Sequence, residues 1–164
     1  MEIRPIKVSD AEGFLELCKK VDESGYMMFE PGERQLTIDQ QRKAIEKIQD
    51  EDNTRFYVAE VENKLVGYIA AIGGGLKRNQ HSAYLVMGVL ADYHGQGIAT
   101  RLLQEIMEWA KNKGMTRLEL TVIKNNKKAF HLYRKLGFSL EGEKINSLMI
   151  NGRPMNEYYM YKLL

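Results

Sequence analysis

Between His81 and Phe138 the spacing of apolar residues changes period three times, and this succession constrains the fold more than any other feature of the chain. The run from His81 to Leu90 reads as a strand. Ile98, Leu102, Ile106 and Trp109 then recur at helical spacing until Gly114 supplies a left-handed stop. Leu118, Leu120 and Val122 alternate with Arg117, Glu119 and Thr121 as a strand does, and Ala129, Leu132, Tyr133 and Leu136 mark one face of a helix closed by Gly137. A β-α-β-α order of this kind needs a sheet with helices packed on it.

The flanks extend the sheet. Ile3, Pro5, Ile6 and Val8 suggest a first strand, and Ser9 or Asp10 can cap a helix from Ala11. Residues 24–37, with Gly25, Pro31 and Gly32, keep neither period and form a candidate substrate loop. Thr37 or Asp39 can cap a second helix ending near Asp50, and two apolar runs between Phe56 and Ile72 flank Glu62-Asn63-Lys64 as in a hairpin. Asn151-Gly152, a dipeptide that tolerates positive φ, separates two last strand-like runs. With 164 residues and no repeat or linker, the expectation is one mixed α/β domain over residues 1–164, with helices on both faces of its sheet.

Composition removes several classes of function. Apolar residues at 44% and charged residues at 28% describe a globular chain rather than a disordered one. Lys and Arg number 24 against 22 Asp and Glu, with no long basic run, so nucleic acid is not an expected partner. No apolar stretch approaches the roughly 20 residues that span a bilayer, and Met1-Glu2-Ile3-Arg4 lacks the regions of a signal peptide, so a cytoplasmic protein is expected. Cys18 is the one cysteine, which excludes an internal disulfide, and it falls on the apolar stripe of Phe14, Leu15, Leu17 and Val21. His81, His94 and His131 share no ligand-like spacing, so no metal is expected.

The segment Val89-Leu90-Ala91-Asp92-Tyr93-His94-Gly95-Gln96-Gly97-Ile98-Ala99-Thr100 runs from strand to helix with two glycines at the junction. Small residues there let successive N–H groups point outward, and the helix N-terminus adds partial positive charge, a geometry suited to a pyrophosphate. A P-loop is excluded because G-x-x-x-x-G-K-[ST] is missing, and no third glycine completes a dinucleotide fingerprint.

On these residues the sequence resembles the GNAT superfamily of N-acetyltransferases, whose signature is Arg or Gln, two residues, Gly, one residue, then Gly or Ala; His94, Gly97 and Ala99 stand in those places. His94 departs from the usual Arg or Gln. Asn126-Lys127-Lys128-Ala129-Phe130-His131-Leu132-Tyr133-Arg134-Lys135-Leu136-Gly137-Phe138 resembles the second motif, Asn-x-x-Ala-x-x-x-Tyr-x-x-x-Gly-Phe. The resemblance implies a mostly antiparallel sheet of six to seven strands, splayed between strands 4 and 5. It also implies acetyl-CoA as co-substrate: its diphosphate on Gly95, Gln96, Gly97, Ile98, Ala99 and Thr100, its pantetheine beside Val89 and Leu90 as an added strand, and Asn126 on the pantetheine arm.

Transfer to a primary amine, of a small molecule or a peptide, then gives each part a task. The amine must lose a proton before attack, an oxyanion needs a donor such as the Val89 or Leu90 N–H where the fourth strand bulges, and the leaving thiolate needs a proton, for which Tyr133 is the candidate. No nucleophile with a paired base stands out, so direct transfer in a ternary complex is expected. Glu30 and Glu33 in the irregular loop and Glu119 on the fifth strand are the acidic candidates for the base. Asn126 also suits a plain helix cap, and Tyr133 a core aromatic. The competing reading is a catalytically silent acyl-CoA-binding module of the same fold. The last hairpin offers an edge for a homodimer.

Overall fold

The computed structural model describes residues 1–164. In chain order the elements are β1 (Glu2–Pro5), α1 (Ala11–Asp22), α2 (Ile38–Asp50), β2 (Thr54–Val61), β3 (Lys64–Gly73), β4 (Ser82–Val89), α3 (Ile98–Asn112), β5 (Arg117–Ile123), α4 (Lys127–Lys135), β6 (Ser139–Ile150) and β7 (Arg153–Leu163). All seven strands join one sheet in the order β1-β2-β3-β4-β5-β7-β6, and only the β4–β5 pair is parallel.

Local chemistry sets the boundaries. Thr37 caps α2 through a reciprocal pair: its Oγ1 accepts from Gln40 N at 3.1 Å while Gln40 Oε1 accepts from Thr37 N at 2.9 Å. Glu62 and Asn63 turn the β2–β3 hairpin at φ 49° and 62°, and Asn151 and Gly152 turn the last one at 52° and 74°. The helix starting at Ala11 forms as expected, but Asp10 does not cap it. A short 3-10 turn intervenes at Val8–Asp10, and the Asp10 carboxylate accepts from Lys7 N at 2.7 Å and grips Arg4 at 2.8 Å.

The helices lie on both faces. A side chain at Gly67 would meet Ile98 of α3, while one at Gly88 would meet Val21 of α1 at 2.6 Å. Gly67 pairs with Val89, so it and the adjacent Gly88 face opposite ways. Ile69, Leu102, Leu103, Ile106 and Leu118 form the α3-side core at zero exposure, and Phe14, Leu17 and Val21 close the α1 side. Cys18 is buried in that second layer, where desolvation pushes its thiol up to about 12, and it is a packing residue.

The splay is visible in the register. β4 and β5 pair only at Ser82↔Arg117, Ala83↔Leu118 and Tyr84↔Glu119, and beyond these the strands separate. On its other edge β4 pairs with β3 without a shift from Gly67↔Val89 to Gly73↔Ala83. The bulge expected in β4 is thus not there; the sheet's register shifts fall between β2 and β3 and between β6 and β7.

Candidate active site

The open end of the splay leads into the strand-to-helix loop. Gly95 and Gly97 take left-handed φ of 76° and 77°, a conformation that favours glycine, and Gly97 is the N-terminal cap of α3. The first bond of the helix is Arg101 N to Gly97 O at 3.1 Å, and none of the six amides from Gly95 to Thr100 donates to a backbone carbonyl. A Cβ placed on either glycine would meet no atom within 4 Å. The result is an open concavity of unmatched N–H donors at a helix N-terminus, which fits a diphosphate. His94 faces elsewhere. Its Nε2 lies 2.8 Å from the Val89 carbonyl oxygen, and because a carbonyl only accepts, the ring proton sits on Nε2. The ring braces the loop against β4.

Leu90 leaves the oxyanion pair for a similar reason: its N–H donates to Val66 O at 2.9 Å. Since Leu90 N bonds toward β3, the alternation of an antiparallel ladder turns the Val89 N–H the other way, into the splay. Of the two, the Val89 N–H is the one free of β3.

Asn126 caps α4, its Oδ1 accepting from Ala129 N at 3.3 Å, and this leaves the side-chain NH2 for another partner. Tyr133 is the buried residue of α4, 8% exposed, with its ring edge-on to Phe138 at 5.8 Å between centroids. Burial, then the neighbouring Tyr84 phenol, push its own phenol up to about 12. Tyr133 therefore holds its proton throughout the neutral range.

The three base candidates are not brought together. Glu30 and Glu33 are exposed, and Glu33 Oε2 accepts from Glu30 N at 2.8 Å, which closes a turn. Glu119 lies beside the start of the splay, but Arg117 Nη2 engages it at 3.1 Å and Glu141 at 2.8 Å. Polar residues without a motif stand out instead. Asp22, 1% exposed, holds Arg34 at 2.8 Å and so ties the irregular loop to the end of α1, and Arg34 in turn covers the Phe29 ring at 4.3 Å. The Tyr84 hydroxyl bonds Thr121 Oγ1 at 2.8 Å across the mouth of the splay. Glu157 on β7 is 4% exposed. A signal for Glu157 existed in the sequence, as an acid inside an aromatic strand run.

No group of His, Cys, Asp or Glu is arranged to hold a metal ion. No helix is long and apolar enough to cross a membrane.

Comparison with known proteins agrees with this geometry. The model of the acetyltransferase (GNAT) family matches residues 21–138. The spermidine N(1)-acetyltransferase of Escherichia coli strain K12 is 29% identical over 161 residues, covering 98% of this chain and 84% of that protein. An L-amino acid N-acetyltransferase of the same organism is 29% identical over 119 residues, 72% of this chain and 74% of its own. Among solved structures, a GNAT-family acetyltransferase from Streptococcus pneumoniae superposes with a TM-score of 0.94 at 28% identity, covering 99% of each chain. A phosphinothricin acetyltransferase from Sinorhizobium meliloti, in complex with acetyl-CoA, shares the fold at a TM-score of 0.87 and 19% identity over 99% of this chain and 88% of its own. With the matched segment spanning the splay, the amide loop and Tyr133, the chain belongs to the acetyltransferase (GNAT) family and is an acyltransferase that uses acetyl-CoA.

Proposed function

We propose that the protein, acting as a single domain, transfers an acetyl group to a primary amine by direct attack in a ternary complex. The observation that carries this is the run of six unmatched amides at the α3 N-terminus, next to the parting of β4 and β5; the buried, protonated phenol of Tyr133, with Tyr84 of β4 as its neighbour, supports it. Bound acetyl-CoA supplies a thioester carbonyl as acetyl donor. The amides of Gly95, Gln96, Gly97, Ile98, Ala99 and Thr100 hold its diphosphate, and their fixed dipoles need no reorganisation to do so. The Asn126 NH2 and the free edge of β4 at Val89 orient the pantetheine arm. The Val89 N–H faces the developing oxyanion, and Tyr133 keeps a proton ready for the departing sulfur.

Relatives named for spermidine and for L-amino acids support an amine acceptor. The Tyr84–Thr121 pair and the Asp22–Arg34 tie frame the face on which it would dock. Two copies would associate along β6, the edge strand opposite β1, where Leu140, Ile145 and Met149 are exposed, and light scattering reads the resulting mass.

The test is free-thiol release from acetyl-CoA across polyamines, amino acids, simple alkylamines and peptide N-termini. Amine-dependent thiol release with mass-spectrometric detection of an N-acetyl product is expected. Tight acetyl-CoA binding with no thiol above background for any amine overturns the reading in favour of a silent acyl-CoA-binding module.

A further inference from the structure

Glu157 is the buried acid that neither the fold nor the reaction described above uses. Its Oε1 is enclosed and has no hydrogen-bond partner. Lys144 Nζ stands 3.6 Å away across the β6–β7 ladder, near enough to attract and too far to donate. An enclosed carboxylate with an unfilled acceptor is unfavourable, and such a group points to a donor that arrives from outside.

Its position gives that donor an identity. Glu157 pairs with Ile123 at the far end of β5. Carrying the β4–β5 register past Tyr84↔Glu119 sets Gly88 level with Ile123, so Gly88, Ile123, Glu157 and Lys144 lie on one line across the sheet. The carboxylate is thus level with the stretch of β4 that offers the Val89 amide to the acyl group. By strand alternation Glu157 shares its face with Tyr159, Thr121 and Glu119, and through the Tyr84–Thr121 bond with Tyr84. This is the α1 side, below the loop tied by Asp22 and Arg34.

The charge on this face is uneven. Glu119, Glu141 and Glu157 stand against Arg117 and Lys144, three carboxylates to two cations, and Arg117 already holds the first two acids. Tyr84 and Tyr159 line a cavity of about 130 Å³ with Glu119 and Glu141 on the same face; Lys144 Nζ already stands 5.4 Å from the centroid of the Tyr159 ring, so Tyr84, 36% exposed, is the ring left for an incoming cation.

We propose that Glu157 is the anchor for the ammonium group of a cationic acceptor, which makes this face a site for polycationic or alkyl amines rather than anionic ones. The assignment rests on the acetyl-transfer reading above. An ammonium N–H supplies the donor that Oε1 lacks, and the excess negative charge and the Tyr84 ring favour the same sign of ligand.

The test is Glu157→Gln, assayed with spermidine and, as an acceptor uncharged at the assay pH, aniline. The expected result is a rise of about tenfold or more in the spermidine KM, the loss of one charged hydrogen bond, with acetyl-CoA affinity and aniline turnover within about twofold of wild type. A readout without turnover is thermal unfolding of the CoA-bound protein: millimolar spermidine should raise the wild-type Tm and leave that of Glu157→Gln where it was. If Glu157 serves only as a structural partner of Lys144, Glu157→Gln and Lys144→Met lower the Tm of the unliganded protein alike and both acceptors suffer equally, which overturns the proposal. An active wild type whose Glu157→Gln variant keeps its spermidine KM also overturns it, while leaving acetyl transfer intact. A wild type that releases no thiol with any amine refutes the acetyl-transfer reading itself and the proposal with it.

Discussion

Replacing Tyr133 with Phe separates chemistry from packing more cleanly than any other single change. The substitution deletes one oxygen from a side chain only 8% exposed and leaves the ring in its edge contact with Phe138. Burial and the Tyr84 phenol are what raise the Tyr133 hydroxyl, and the ring rather than the oxygen makes the contact with Phe138. Stability should therefore stay within about 1 kcal/mol of wild type. Turnover should fall much further. A positioned general acid contributes about 10²–10⁴ in rate, or about 3–5 kcal/mol on the barrier at about 1.4 kcal/mol per decade. Because the phenol is held up to about 12, its proton is present at every pH of a neutral assay and the deficit should not depend on pH there. The assay is steady-state thiol release beside acetyl-CoA calorimetry, with kcat lowered at least about a hundredfold and Kd unchanged. A variant that turns over within about threefold of wild type would remove Tyr133 from the reaction, whatever its burial.

Other perturbations probe the cradle, the loop tie and the titrating core. Gly97→Val puts a β-branched residue at φ 77° with its side chain in the open concavity, so about 1–2 kcal/mol of stability and most acetyl-CoA affinity should be lost together; full affinity by calorimetry counts against the loop as the diphosphate site. Asp22→Asn breaks a buried ion pair with Arg34 and should cost about 3 kcal/mol in denaturant unfolding, with a raised acceptor KM as the 24–37 loop loosens; a loss below about 1 kcal/mol shows that the pair does not hold the loop. At alkaline pH the unfolded chain loses protons first, because burial raises Cys18 from 9.0 and Tyr133 from 10.0, each to about 12, in the fold. Their stabilisation is complete below about pH 9 and disappears as pH climbs toward 12, so Tm should fall steadily from pH 9 to 11, with the first part of the fall missing in Cys18→Ala; a flat Tm over that range contradicts the burial.

Where local period and turn chemistry decide, sequence and structure agree closely. Leu118, Leu120 and Val122 form the buried face of β5, Ile98 through Trp109 the buried face of α3, and Gly114, Gly137 and Gly152 all take the positive φ that their positions require. Such features depend on neighbours within a few residues, and the chain carries that information in order. The loop from Gly95 to Thr100 belongs to the same class, since unmatched amides follow from a glycine cap and a helix start.

Contacts between distant segments were not legible in this way. That Leu90 N–H goes to Val66, that His94 turns onto Val89, and that Arg117 takes up Glu119 together with Glu141 are consequences of strand pairing and side-chain competition. Glu30 and Glu33 are acidic candidates by residue type and loop position and Glu119 by residue type on the fifth strand, and type alone does not tell an engaged carboxylate from an idle one. Glu157 acquires its meaning only when β7 inserts between β5 and β6, which sets it beside Ile123 and shuts its Oε1 away from water. The sequence by itself determined the order of elements, the Thr37 and Asn126 caps and the glycine turn with its unmatched amides, because backbone conformation is governed by local sterics and hydrogen bonds. The tertiary structure decided which polar groups meet and which are left without a partner, because burial and long-range pairing exist only after the sheet has closed.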